Sequence, residues 1–302
     1  MRHARARGQL SPSGAQLQTS RGDDAAAGKV AVVTGAGSGI GRGMAVRFAA
    51  AGMRLALSDV DAEALAATAS LLDDVAGSDL LVEALDVTDG AAVEAHAANV
   101  FARFGQVDLL CNNAGVFSGG LLWERADADL EFALGVNVYG ILHGVRAFVP
   151  RMIERGVLAH VVNTVSVAGL FGSPFAGPYS VSKFAAFAAT ESLAGDLVAS
   201  GSAVRAHALC PGNIRTRIAE SERLRPAALA TPRTPDQEFV EQMLAAVVEE
   251  GMEPEAVADL VLEALSRPDD FLILTHPEFA EQLVERAHTL AARQLPGLPD
   301  FG

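Results

Sequence analysis

Lys29-Val30-Ala31-Val32-Val33-Thr34, followed by Gly35-Ala36-Gly37-Ser38-Gly39-Ile40-Gly41, is the stretch whose reading decides the fold. The β-branched apolar run predicts a buried strand, the glycines a tight turn, and the alanine-rich residues up to Ala51 a helix. Gly35, Gly39 and Gly41, with Ser38 and Ile40 between them, let a backbone approach a pyrophosphate. The helix that follows aims its free N–H groups and its dipole at the same point. A glycine cluster by itself also fits a plain strand-to-helix turn. Its place after the first strand, with an acid closing the second, favours a dinucleotide cradle.

Outward from this turn, strand and helix patterns alternate. Strands are expected at 54–58, 80–85, 107–111, 157–165, 204–210 and 271–275. Helices are expected at 62–75, 91–104, 123–153, 177–199, 236–249, 254–266 and 277–293, with Thr88 or Asp89 capping the second of these. That alternation predicts an α/β fold: a single doubly wound Rossmann-type domain with a parallel sheet of about seven strands and helices on both faces. The domain is expected to span 29–302. Within it, 213–250 forms a substrate-side insertion and 276–302 a C-terminal helical extension. Residues 1–28, with Arg2, Arg5, Arg7 and Arg21 and no acid before Asp23, read as a disordered leader. Residues 213–235 carry five arginines and three prolines and read as a mobile insertion, a solvated lid over the substrate side or, alternatively, a recruiter of a carboxylate or phosphate on the substrate.

Composition narrows the partners. A formal net charge of -14 disfavours a polyanion, which needs clustered Lys and Arg, so no nucleic-acid partner is expected. No run of about eighteen uncharged apolar residues occurs, so no membrane span is expected. Cys111 and Cys210 each lie in an apolar strand run and read as core filler, which implies a reducing, cytoplasmic setting without a disulfide. No Cys/His cluster has metal-ligand spacing, and no metal is expected.

Two further positions carry chemistry. Asp59 closes the second strand eighteen residues beyond Gly41, where a carboxylate accepts hydrogen bonds from ribose hydroxyls and repels a 2′-phosphate. Neither Val60 nor Ser38 offers a cation, which favours NAD over NADP; the alternative is that Asp59 caps the helix beginning near Asp61. Tyr179 and Lys183 stand one helical turn apart on one face. An ammonium beside a phenol favours the phenolate and makes the tyrosine a usable acid and base, although any amphipathic helix can carry such a pair.

Taken together, Thr34-Gly35 to Gly41, Asn112-Asn113-Ala114-Gly115, Asn137, Ser166 thirteen residues ahead of Tyr179, Tyr179-x-x-x-Lys183, and Pro211-Gly212-Asn213-Ile214-Arg215-Thr216 resemble the short-chain dehydrogenase/reductase family. The resemblance covers about 28–275 and implies roles. Tyr179 would be the acid or base at the reacting oxygen. Lys183 would lower its pKa and hold the nicotinamide ribose. Ser166 would donate to the reacting oxygen, and Asn137 would hold a relay water. Asp86 and Val87 would meet the adenine, Asn113 the adenosine ribose, and Ile214 and Thr216 the carboxamide. For Asn112, Ala114 and Gly115, a role in stabilising the central strand fits equally.

The implied activity is hydride transfer between NAD and a hydrophobic secondary alcohol or ketone. The alternatives are an NADPH-dependent ketone or 3-ketoacyl reductase and a non-catalytic nucleotide-sensing protein. The resemblance also implies a homotetramer, else a dimer. Val116, Phe117, Ala168, Leu170, Phe171 and Phe175 would face the substrate. Trp123 and His276 could also reach a ligand, but a packed helix aromatic and a turn histidine are the favoured readings.

Overall fold

The computed structural model describes residues 26–72 and 79–299. Seven strands form one parallel sheet: β1 (Val30–Thr34), β2 (Arg54–Asp59), β3 (Leu80–Ala84), β4 (Leu109–Asn112), β5 (Ala159–Thr164), β6 (Val204–Cys210) and β7 (Leu272–Leu274). Their order is β3-β2-β1-β4-β5-β6-β7. The chain winds outward from β1 to β3, then returns to the other side of β1. The crevice outside the carboxyl ends of β1 and β4 is therefore the topological switch point, where doubly wound sheets bind ligands.

Nine helices cover the sheet among the described residues: α1 (Gly39–Ala50), α2 (Ala62–Ser70), α3 (Gly90–Phe104), α4 (Asp127–Leu134), α5 (Gly140–Glu154), α6 (Gly177–Ala199), α7 (Pro235–Glu249), α8 (Pro254–Leu265) and α9 (Phe279–Ala291). The two-residue period of a strand sorts β1 between two cores. Ala31 and Val33 pack with Met44 and Phe48 of α1 and with Val257 and Val261 of α8. Val30 and Val32 pack with Val93 and Val100 of α3, Phe148 and Met152 of α5, and Leu197 of α6. Both faces are thus dry, as an all-parallel sheet requires.

Several expectations change. The helix expected over 123–153 begins only at Asp127, after a single 3-10 turn at Leu122–Glu124, and a π-helical turn at Gly135–Tyr139 separates α4 from α5. Trp123, in that first turn, is 78% exposed rather than packed. Asp89, not Thr88, caps α3, accepting from the backbone N–H groups of Ala91 and Ala92. α2 ends at Ser70, and the expected continuation beyond residue 72 falls outside the described residues. Of the leader, 1–25 lie outside the described residues. Ala26 is fully buried and Gly28 N–H donates to Gly52 O, so the packed body starts before Lys29.

The segment read as a mobile insertion is laced with ion pairs. Each of its five arginines has a carboxylate partner: Arg215 with Glu253, Arg217 with Glu220, Arg223 with Asp61, Arg225 with Asp129 and Glu222, and Arg233 with Glu241. Asp127–Glu154 is long and apolar enough to cross a membrane by composition, but it is broken by the π turn and buries Ala147, Phe148 and Met152 in the core.

Candidate active site

A cleft of about 820 Å³ opens along the carboxyl ends of β1, β4, β5 and β6. Its floor at one end is the glycine turn. Gly35 has φ of +68°, which a β-carbon disfavours, and a β-carbon on Gly41 would fall 2.1 Å from Gly35 O. Ser38 is the N-cap of α1 and its hydroxyl makes no cap bond, and Ser38, Gly39 and Ile40 line the cleft at the helix N-terminus, where backbone N–H groups lack intrahelical partners. This is an anion cradle.

Asp59 lines the cleft beside it. One carboxylate oxygen accepts from Gly37 N–H at 2.8 Å and the other from Asp61 N–H at 2.9 Å, while Asp61 caps α2. The carboxylate is therefore aimed by the backbone, is not the helix cap, and keeps lone pairs for hydroxyl donors. Asp86, Val87, Ile214 and Thr216 also line the cleft. Asn113 reaches it too, but its side chain ties three strands together: the amide donates to Thr34 O and the carbonyl accepts from Thr164 Oγ1. A strand-joining role therefore accounts for that side chain. This set of groups, with a bare helix N-terminus for phosphates and an oriented carboxylate for a diol, fits a dinucleotide.

At the inner end, the four residues singled out for chemistry converge. β5 runs out at Thr164 and delivers Ser166, while the first turns of α6 deliver Tyr179 and Lys183. Ser166 Oγ accepts from Ala168 N–H at 3.1 Å and hydrogen-bonds the Tyr179 phenol. Burial pushes the phenol up and the Ser166 bond pulls it down. Lys183 Nζ lies 5.7 Å from the Tyr179 ring centre and donates to Thr164 O at 3.0 Å. Burial holds its ammonium down at about 8.

Asn137 sits at the centre of the π turn, fully buried. Its side chain accepts from Val116 N–H and donates to Val116 O and Ser182 Oγ, each at 2.9 Å. Both Asn137 Oδ1 and Lys183 Nζ border Gly115, at 3.3 and 3.4 Å from where a β-carbon there would stand. Gly115 therefore leaves room between the amide and the ammonium. Among the described residues, no group of three His, Cys, Asp or Glu side chains is arranged to hold a metal.

The outer half is an apolar chamber. Val116, Phe117 and Ala168 line it as expected, but Leu170 and Phe171 do not; they are buried against Phe279. Phe175, also expected to face the substrate, is not part of the lining; it has φ of +57° and its ring lies 5.8 Å from that of Phe239. Phe132 and, on α7, Val240, Met243, Leu244 and Val247 complete the wall. The α7 residues recur with helical spacing, a signal present in the sequence that did not say which way the stripe faced. His276, read as a turn histidine with ligand contact as the alternative, lines the cleft, packed on Gly212 and bonded to Thr275 Oγ1 at 2.7 Å.

Comparison with known proteins agrees with this geometry. Residues 29–227 match the family model described as short chain dehydrogenase. A short-chain dehydrogenase/reductase from Burkholderia phymatum, solved in complex with NAD, is 42% identical, with a TM-score of 0.86 over 91% of this chain and 98% of that one. The CLA biosynthesis dehydrogenase/reductase of Lactiplantibacillus plantarum is 32% identical over 277 residues, covering 90% of this chain and 95% of its own length. The 1-deoxy-11-beta-hydroxypentalenate dehydrogenase of Streptomyces avermitilis is 39% identical over 188 residues, 62% of this chain and 68% of its own length. With its parallel seven-stranded sheet, its glycine turn and a match over 29–227, the chain belongs to the short-chain dehydrogenase/reductase family of oxidoreductases.

Proposed function

We propose that the protein oxidises a hydrophobic secondary alcohol, or reduces the corresponding ketone, with NAD as its cofactor. The observation that carries this reading is the convergence of Ser166, Tyr179 and Lys183 between a dinucleotide cradle and an apolar chamber. NAD, when bound, accepts or supplies the hydride. Gly35, Ser38, Gly39, Ile40 and Gly41 hold its phosphates, and Asp59 its adenosine ribose. In oxidation, Tyr179 takes the alcohol proton at its phenolic oxygen while Ser166 donates to the same substrate oxygen. In reduction, Tyr179 returns the proton and Ser166 stabilises the developing negative charge. Lys183 supplies the positive charge that makes the phenolate accessible, and Asn137 keeps the path beside Gly115 open to water. The chamber wall excludes solvent and selects apolar substrates. A relative named for a hydroxypentalenate supports a hydroxyl-bearing substrate.

The test is an absorbance screen at about 340 nm against cyclic, steroidal and acyl alcohols with NAD, followed by Tyr179→Phe on any substrate found. Tyr179→Phe is expected to lower kcat by about 10²-fold or more while NADH still binds. Turnover that survives the substitution overturns the assignment. The second reading, an NADPH-linked ketone or 3-ketoacyl reductase, draws support from Arg217 and Arg223, which line the cleft that also holds Asp59. Tighter NADPH than NADH binding decides for it. We further propose a cytoplasmic homotetramer, consistent with buried, unpaired Cys111 and Cys210. Sedimentation velocity checks the assembly, and a monomer at micromolar concentration rejects it.

A further inference from the structure

The segment that follows β6 crosses the cofactor groove and touches its far bank twice. Near its root, Thr216 packs against Gly39: a β-carbon on that glycine would lie 2.9 Å from Thr216 Cγ2. Further along, within the 3-10 turns at Ile218–Leu224, Arg223 Nη1 donates to Asp61 Oδ2 at 2.8 Å across 162 residues of sequence. Asp61 is the N-cap of α2, and its backbone N–H is one of the two donors that orient Asp59. Arg223, Arg217 and Thr216 line the groove from one side, and Ser38, Gly39, Asp59 and Val60 from the other. The ion pair therefore joins the cover of the groove to the element that presents the ribose-binding carboxylate. Asp61 needs no arginine to cap α2, because its other oxygen accepts from Ala64 N–H at 3.0 Å. Nor does Arg223 complete the core, since both side chains keep about a quarter of their surface in solvent.

We infer that Arg223 and Asp61 are cofactor-site residues that act as a strap: their ion pair closes the adenosine half of the groove and must open for the dinucleotide to enter or leave. The inference rests on the reading of this groove as an NAD site. A strap makes a kinetic statement that a direct contact does not. Breaking it lowers one barrier common to entry and exit, so association and release both quicken and the equilibrium affinity changes little. Losing a direct contact to the cofactor quickens release alone. Because one bond has two ends, removing both partners does no more than removing either.

The experiment is stopped-flow NADH fluorescence on the wild type, Asp61→Asn, Arg223→Gln and the double variant, with no alcohol substrate present. Asparagine caps helices as well as aspartate does, so Asp61→Asn removes the charge and keeps α2. Each single variant is expected to bind and release NADH about fivefold faster, and the double variant no faster than either. Raising ionic strength from about 0.05 M to about 1 M should speed release from the wild type and leave the variants level. Unchanged rates, additive gains in the double variant, or faster release with unaltered association each overturn the strap. If the wild type binds neither NADH nor NADPH, the cofactor reading fails and the strap with it. If NADH binds and the variants match the wild type, the strap fails alone.

Discussion

At Tyr179 opposing influences set the acidity of the phenol: burial raises its pKa, the Ser166 hydrogen bond lowers it, and the Lys183 ammonium stands 5.7 Å from the ring. The ammonium is itself weakened by burial, to about 8. The proposed alcohol oxidation needs the phenolate, so kcat at saturating NAD should rise with pH to a plateau. Lys183→Met removes the cation that favours the phenolate and should move that limb upward by about one unit or more. A pH–rate profile of both proteins checks this, and a limb that stays in place argues that Lys183 serves only to hold ribose. The sequence made this pair legible because a four-residue spacing in a helix fixes two side chains on one face. It did not show Asn113 occupied in joining β1, β4 and β5, since its partners Thr34 and Thr164 lie far away in sequence.

Among the elements, β5 and β6 share a buried polar contact at the end of the sheet away from the cleft. His207 Nδ1 lies 2.6 Å from Asp270 O, so it carries the proton and leaves Nε2 as an acceptor. His160 Nδ1, 3.0 Å from that Nε2, must then donate, and His160 Nε2 is left bare, buried and without a partner. The shared bond requires His207 Nε2 to stay unprotonated, and burial disfavours a charge on either ring. Burial, with His207, Lys29 and Arg205 nearby, holds His160 down at about 3 against an opposing pull from Asp108, and burial also lowers His207. In the unfolded chain both histidines protonate near pH 6.5, so the unfolded state binds more protons between that value and the folded one. Their contribution is complete above about pH 6.5 and lost as pH falls toward about 3, a change on the order of a few kcal/mol. Urea melts at about pH 7.5, 6 and 5 should show the decline, and His160→Leu should flatten it while lowering stability at pH 7.5. An equal slope in both proteins assigns the acid sensitivity elsewhere. Strand and helix patterns are local and were readable to within a few residues. The π turn at Gly135–Tyr139 and the His160–His207 contact were not, because each depends on what another element brings alongside.

Across the whole molecule, the cover of the cleft is tied to the body by pairs far apart in sequence. Arg223 meets Asp61 ahead of α2, Arg225 meets Asp129 of α4, and Asp236 at the start of α7 meets Arg125. Composition had shown five arginines between 213 and 235, but not that each acid partner was already present in the same chain. The sign and number of the charges were legible; their cancellation needed the fold. Arg225 is the anchor with most at stake. Its side chain is 5% exposed, contacts Asp129 at 3.2 Å and Glu222 at 2.6 Å, and lies 4.5 Å from the centre of the Phe132 ring, itself part of the chamber wall. Asp129, 2% exposed, keeps bonds from Ala126 N–H and Thr231 Oγ1 but, among the described residues, has no other cation paired with it. Removing the arginine therefore strands a buried carboxylate, which costs about 3 kcal/mol or more. Arg225→Ala should lower stability by that amount and raise amide exchange across 217–250 and α4, with β1 and β4 still protected. Arg267, 59% exposed and paired only with residues on its own turn, supplies the contrast: Arg267→Ala should stay within about 0.5 kcal/mol of the wild type. If Arg225→Ala is equally mild, the cover is held by its apolar wall and the ion pair merely accompanies it.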